Sequence, residues 1–155
     1  RAGLDLARFG LRYSHAGVLL KLGEPAVWQV RQLYYACDER RPRIFDQGVA
    51  GFIAGLRDPA AGHVSLLLLP GDAARPLAEA ARSNARALAL LSPDYSANAY
   101  SFALRYQNCN QWVAELLASA WGEGVADRAA AQAWLRAQGF VPTAFAPAFP
   151  PLLWG

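Results

Sequence analysis

The run Arg105-Tyr-Gln-Asn-Cys-Asn-Gln-Trp-Val-Ala-Glu-Leu-Leu117 constrains this chain more tightly than any other stretch. Asn108 is a good helix N-cap, and Gln111 three residues on can reach back to it as in a capping box. Trp112, Val113, Leu116, Leu117 and Ala120 then recur at helical spacing, which predicts a helix laid against a core. Counting backwards by three and four puts Cys109 on the same inward stripe, in the first turn. A thiol there feels the positive end of the helix dipole and unpaired N–H groups, which favour thiolate. The pattern predicts a cysteine nucleophile at a helix start.

Such a thiol needs a base, and imidazole is the side chain with a suitable pKa. The chain has two histidines. Leu11 to Leu22 reads as a strand with Tyr13, His15, Gly17 and Leu19 on one face. Gly23-Glu-Pro25 is a turn, and Ala26 to Tyr34 is a second strand, so the two form a hairpin. Gly17, two places beyond His15 on the same face, leaves room for another group to approach the ring. His63 opens a third strand, His63 to Leu69, at an exposed edge and reads as a surface residue.

The base in turn needs a polar group to hold its tautomer. Gln32 is the one polar member of the row Ala26, Trp28, Val30, Gln32, Tyr34, where an unpaired amide would be costly. It is the candidate orienter of His15, although it can equally bond a neighbouring backbone group. An oxyanion would meet the backbone N–H of Cys109. Tyr13 can add a hydroxyl donor or serve as a packing aromatic. Asn108 and Trp112, flanking the thiol in sequence, complete the candidate oxyanion and substrate-binding set.

The remaining segments read as one α+β domain over 1–155, an antiparallel sheet with the cysteine helix packed against it. Cys37 to Pro42 is a charged loop, Ile44 to Leu56 a short loose helix or irregular lid, and Arg57 to Gly62 a second loop. A helix starts at Pro70-Gly-Asp72, with Asp72 as cap, and runs to about Asn84. Ala85 to Leu91 is ambiguous between helix and strand. Ser92 to Ser101 is a loop, and a last helix runs from Asp127 to Gln138, stopped by Gly139. A Pro-rich tail, 142–155, is expected to lie extended on the body.

Composition excludes several function classes. No apolar run approaches the roughly 20 residues of a membrane-spanning helix. The net charge of +3 comes from scattered Arg with one denser patch at Arg40, Arg41 and Arg43. The interleaved basic and aromatic residues of a nucleic-acid module are absent. Cys37 and Cys109 make no disulfide framework and have no Cys/His ligand spacing, so neither a metal nor another cofactor is expected. The chain contains no Met, which points to a processed product from which an export signal has been removed.

A resemblance lies in these residues. His15-Ala-Gly17 on a strand, a polar residue on the second strand and Asn108-Cys109-Asn-Gln-Trp112 opening a helix resemble the circularly permuted NlpC-type, papain-like proteins. Lecithin retinol acyltransferase relatives share the pattern. In ordinary papain-like enzymes the Cys helix precedes the His strand, whereas here His15 comes 94 residues earlier. Permuted relatives often carry a second histidine where this chain has Gln32, which can orient an imidazole but adds no basicity. A closer resemblance is to a bacterial family, domain-of-unknown-function family 2145. It is carried by Leu11-Arg-Tyr-Ser-His-Ala-Gly17, Asp46-Gln-Gly48 and Arg105 to Trp112, and it implies export with a cleaved signal peptide and a periplasmic or envelope location.

Together these features lead to an exported cysteine hydrolase or acyltransferase working through an acyl-enzyme on Cys109, His15 and Gln32. Its substrate would be a peptide, a cell-wall amide or a lipid acyl ester. The alternatives are a non-catalytic envelope module that binds through a papain-like groove, and a Cys109 that is only a small apolar residue at a helix–sheet contact.

Overall fold

The structure is a computed structural model and describes residues 1–2, 10–55 and 62–143. Gly23, at φ +86°, occupies the left-handed region that a Cβ disfavours and turns β1 (Val18–Leu22) back onto β2 (Val27–Ala36). A second tight turn, with Arg40 at φ +54°, returns the chain into β3 (Arg41–Gly48). The three strands form an antiparallel sheet in the order β1-β2-β3.

Register decides which side chains face the core. Val18 lies opposite Arg31, Gln32 opposite Phe45, and Leu33 opposite Ile44. With a period of two, Val18, Leu20, Arg31 and Leu33 share one face, and Val30, Gln32 and Tyr34 share the other. The Arg31 guanidinium forks onto Asp46 with two contacts of 2.6 Å and donates its remaining arm to the Ala81 carbonyl at 2.7 Å. That fork pins β3 to β2 and the sheet to the helix below it.

The helices α2 (Gly71–Arg82), α3 (Asn84–Ala89), α4 (Cys109–Trp121) and α5 (Arg128–Ala137) gather on the first face. Leu33, Leu77, Ala80, Ala81, Trp112, Leu116 and Ala131 form the centre of the core there. Each fully buried leucine is worth about 1.5–3 kcal/mol. The opposite face of β2 is covered by α1 (Val49–Ala54), which follows β3 directly and buries Phe52. A short parallel pair, β4 (Asp94–Tyr95) and β5 (Tyr106–Gln107), brings the chain to the start of α4.

Local chemistry sets several boundaries as expected. Asp127 accepts from the Ala130 N–H at 2.8 Å and starts α5, and Gly139 ends that region at φ +73°. The start of α2 differs from expectation: Pro70 holds the cap position, and Asp72 is not the cap but lies two places further on, in the first turn. The ambiguous stretch from Ala85 resolves as helix because Ser83 breaks α2 and caps α3, its Oγ accepting from the Arg86 N–H.

Three expectations are corrected. The third strand is Arg41–Gly48, and only the end of the supposed loose helix is helical. The run from His63 to Leu69 is not the expected third strand: it pairs with no strand among the described residues, and Leu67 is 86% exposed. A strand needs a neighbour to complete its ladder, and the turn after β2 supplies one locally, whatever the apolar content further on. The first strand begins only at Val18, and Leu11–Gly17 leads into it outside any strand, with the Ser14 and His15 N–H groups donating to the Arg1 carbonyl. The loop expected at Arg57 to Gly62 and the tail expected at 142–155 lie almost wholly outside the described residues.

Candidate functional site

Gly17 determines where His15 sits. A Cβ at position 17 would come within 2.6 Å of Val30 Cγ1 and 3.2 Å of Gln32 Cβ, so only glycine lets this stretch lie directly on β2. The close approach is therefore used by the second strand, and not by a helix end or ligand. From there His15 reaches Gln32, with its Nε2 and the Gln32 Oε1 2.5 Å apart. Phe52 of α1 and Tyr34 of β2 flank the ring at centroid distances of 5.8 and 6.0 Å.

Gln32 is 2% exposed, and both ends of its amide are engaged. Its Nε2 donates to Gln47 Oε1 at 2.6 Å, so its Oε1 faces the imidazole. An amide oxygen only accepts, so His15 must donate from Nε2. A neutral His15 then carries its lone pair on Nδ1, and that nitrogen is the one able to take a proton.

Cys109 opens α4 behind the Asn108 cap, whose Oδ1 accepts from the Gln111 N–H at 2.9 Å. The capping box is not closed. The Gln111 amide instead donates to the Ser101 and Ala103 carbonyls and to Glu115. The Cys109 thiol is 4% exposed and donates to the Ser14 carbonyl at 3.8 Å. Asn110 Nδ2 reaches the same carbonyl at 3.4 Å. The thiol thus lies against the backbone one residue before His15, although sulfur and ring share no hydrogen bond.

Electrostatics runs against the expected thiolate. Burial pushes the Cys109 thiol up, opposed by the N–H groups of Ala16, Asn110 and Cys109 itself and by the Arg1 guanidinium. Burial likewise lowers His15 to about 4; the Gln32 hydrogen bond works the other way, and the Arg1 charge adds to the lowering. Desolvation disfavours both charged forms, so the resting pair is neutral thiol and neutral imidazole. The helix-start N–H groups act in the expected direction but are outweighed.

A buried polar cluster fixes the approach to this helix. Glu115, fully buried, accepts from Gln107 at 2.6 Å, Gln132 at 2.7 Å and Arg128 at 2.9 Å. Arg128 also donates to the carbonyls of Ala103, Leu104 and Tyr106. The chain entering α4 is thereby tied to α5, which holds Asn108 in its capping position.

The other candidates fall elsewhere. Trp112 is fully buried, with its Nε1 on the Ala87 carbonyl at 3.2 Å, so it is part of the core and closed to a substrate. The Asn108 amide is engaged as a cap and by the carbonyls of Ala97 and Ala99. Tyr13 is half-exposed and has no hydrogen bond to Cys109 or His15. His63 is exposed, and both cysteines are free. Among the described residues no group of His, Cys, Asp and Glu could hold a metal ion. Sequence reasoning missed a role for Gln47, which stands in the Asp46-Gln-Gly48 phrase. Its position beside Gln32 becomes visible only once β3 is recognised.

Fold and site define an α+β protein in which a thiol at a helix start is packed against a histidine segment oriented by glutamine. The chain belongs to the family described as "Uncharacterized protein conserved in bacteria (DUF2145)", whose family model matches residues 1–147. No curated protein and no solved structure matches it.

Proposed function

We propose that the protein is a cysteine hydrolase or acyltransferase that forms an acyl-enzyme on Cys109, with His15 as base and Gln32 as its orienter. The observation that carries this reading is the His15–Gln32 hydrogen bond, set on the same stretch whose Ser14 carbonyl receives the Cys109 thiol. A positioned imidazole whose available lone pair is on Nδ1 suits general-base work on a thiol.

The neutral resting pair determines how the step runs. In this reading the thiol leaves the Ser14 carbonyl and passes its proton to His15 Nδ1 as sulfur attacks the carbonyl carbon. The S–C bond forms, the carbonyl π pair moves to oxygen, and the N–H of Cys109 would receive that charge. Collapse of the adduct expels the amine or alcohol, which takes the proton from Nδ1. Water or another acceptor then releases the acyl group by the same steps. The imidazolium formed on the way strengthens its Nε2–H bond to Gln32.

The permuted papain-like relationship belongs to this proposal and is supported by the chain order, His15 preceding Cys109. So do a peptide, cell-wall or lipid acyl substrate and an envelope setting, which rest on resemblance. The burial of Cys109 favours a second reading, a non-catalytic binding module. No helix of the described residues is long and apolar enough to cross a membrane.

An activated ester such as p-nitrophenyl acetate separates the two. The enzyme reading expects an acetyl group on Cys109, identified by mass, that turns over. His15→Ala should slow its formation by about 100-fold or more. Slow, equal acetylation of Cys37 and Cys109 that is insensitive to His15→Ala would overturn it.

A further inference from the structure

Besides His15, Gln47 is the side-chain partner of the Gln32 amide among the described residues, and as an acceptor from Nε2 it fixes which way that amide points. Register places it there: Gln32 lies opposite Phe45 and Val30 opposite Gln47, so Gln32 and Gln47 are diagonal neighbours on one face. The Arg31–Asp46 fork, on the adjoining residues of both strands, holds that register. Behind Gln47 stands Gly51, the third residue of α1. A Cβ at position 51 would lie 2.7 Å from Gln47 Nε2, 3.0 Å from its Cγ and 3.1 Å from its Cδ. With no Cβ at position 51, the Gln47 side chain lies folded against α1 with its oxygen turned to Gln32, and a Cβ there would make its amide end shift.

We propose that Gln47 is a positioning residue of the site, which sets the His15 tautomer through Gln32, and that Gly51 provides its seat. This deepens the reading of Cys109, His15 and Gln32 as a catalytic set and rests on it. The logic is one of donors and acceptors. Gln47 Oε1 accepts, so Gln32 presents Nε2 to it and Oε1 to His15; His15 therefore holds its proton on Nε2 and keeps Nδ1 free as the base. If the partner at position 47 could only donate, Gln32 would turn over. Its Nε2 would then face the ring, the proton would move to Nδ1, and the base would be lost. Gln47 itself is exposed, so exchanging it leaves the core intact.

The test reads the tautomer directly, from the ring ¹⁵N shifts of histidine-labelled protein near pH 7, beside the rate of acetylation of Cys109. There are two histidines, and exposed His63 serves as the internal reference. Wild type is expected to show His15 protonated at Nε2. Gln47→Lys, a donor only, should move the proton to Nδ1 and lower the acetylation rate at least tenfold. Gln47→Glu, an acceptor only, should restore the Nε2–H form and recover most of the rate lost in Gln47→Lys. Gly51→Ala should abolish the single tautomer while leaving Gln47 in the sequence and the helix, which prefers alanine, no less stable.

A His15 tautomer unchanged in both Gln47→Lys and Gly51→Ala would overturn the proposal. If the tautomer follows the pattern while wild type forms no acyl-enzyme, the positioning role stands and the catalytic reading fails.

Discussion

His15 is held by one strong partner and by burial, and the two act oppositely on its charge. Its folded pKa of about 4 lies below the ordinary 6.5, so between those values the unfolded chain takes up a proton that the folded one refuses. Its contribution is therefore constant above pH 6.5 and falls as pH drops towards 4. The loss amounts to about 3 kcal/mol across that window. Urea unfolding at pH 7 and pH 4 should show this decline in wild type and a distinctly smaller one in His15→Gln. Equal declines would mean that His15 titrates normally. The same residue keeps its base form down to about pH 4, which makes the neutral pair consistent with activity over the whole neutral range. The thiol, pushed up by burial, tells against rapid labelling in mild acid and for a rate that climbs with pH.

At the level of elements, the cysteine helix is anchored from within by Glu115 and its donors, of which Arg128 brings a full charge. Removing the carboxylate leaves that guanidinium buried without its counter-charge, a change that typically costs 3–5 kcal/mol. Glu115→Ala should lower the unfolding free energy by about that amount in denaturant titration, whereas a loss under 1 kcal/mol would show that water replaces the contact. The Asn108 cap and α4 were legible because capping and helical spacing are local properties of adjacent residues. The same holds for the β1–β2 hairpin, with Gly23 at its turn, and for α5 behind Asp127. β3 was not legible. Arg41, Pro42, Arg43, Asp46 and Gly48 are poor strand formers by themselves, and pairing with β2, secured by the Arg31–Asp46 fork, overrides propensity. Missing β3 hid Gln47, since a diagonal neighbour across two strands exists only once both strands are known.

Over the whole molecule, apolar content and burial separate at one place. Leu66, Leu67 and Leu68 are 70–87% exposed, although their composition is that of a core strand. Leu67→Asp should therefore shift the unfolding free energy by less than about 0.5 kcal/mol, as exposed substitutions do. A loss of 2 kcal/mol or more in thermal or denaturant unfolding would put Leu67 in a core contact. What the chain determined by itself was local: the helix start at Cys109 and the hairpin that carries Gln32. These depend on neighbours in sequence, and short-range sterics and hydrogen bonding suffice to specify them. Tertiary structure alone decided the protonation states and the partners. Burial, which no single segment specifies, disfavours the charged forms of both thiol and imidazole, and the β2–β3 register brings Gln47 to Gln32.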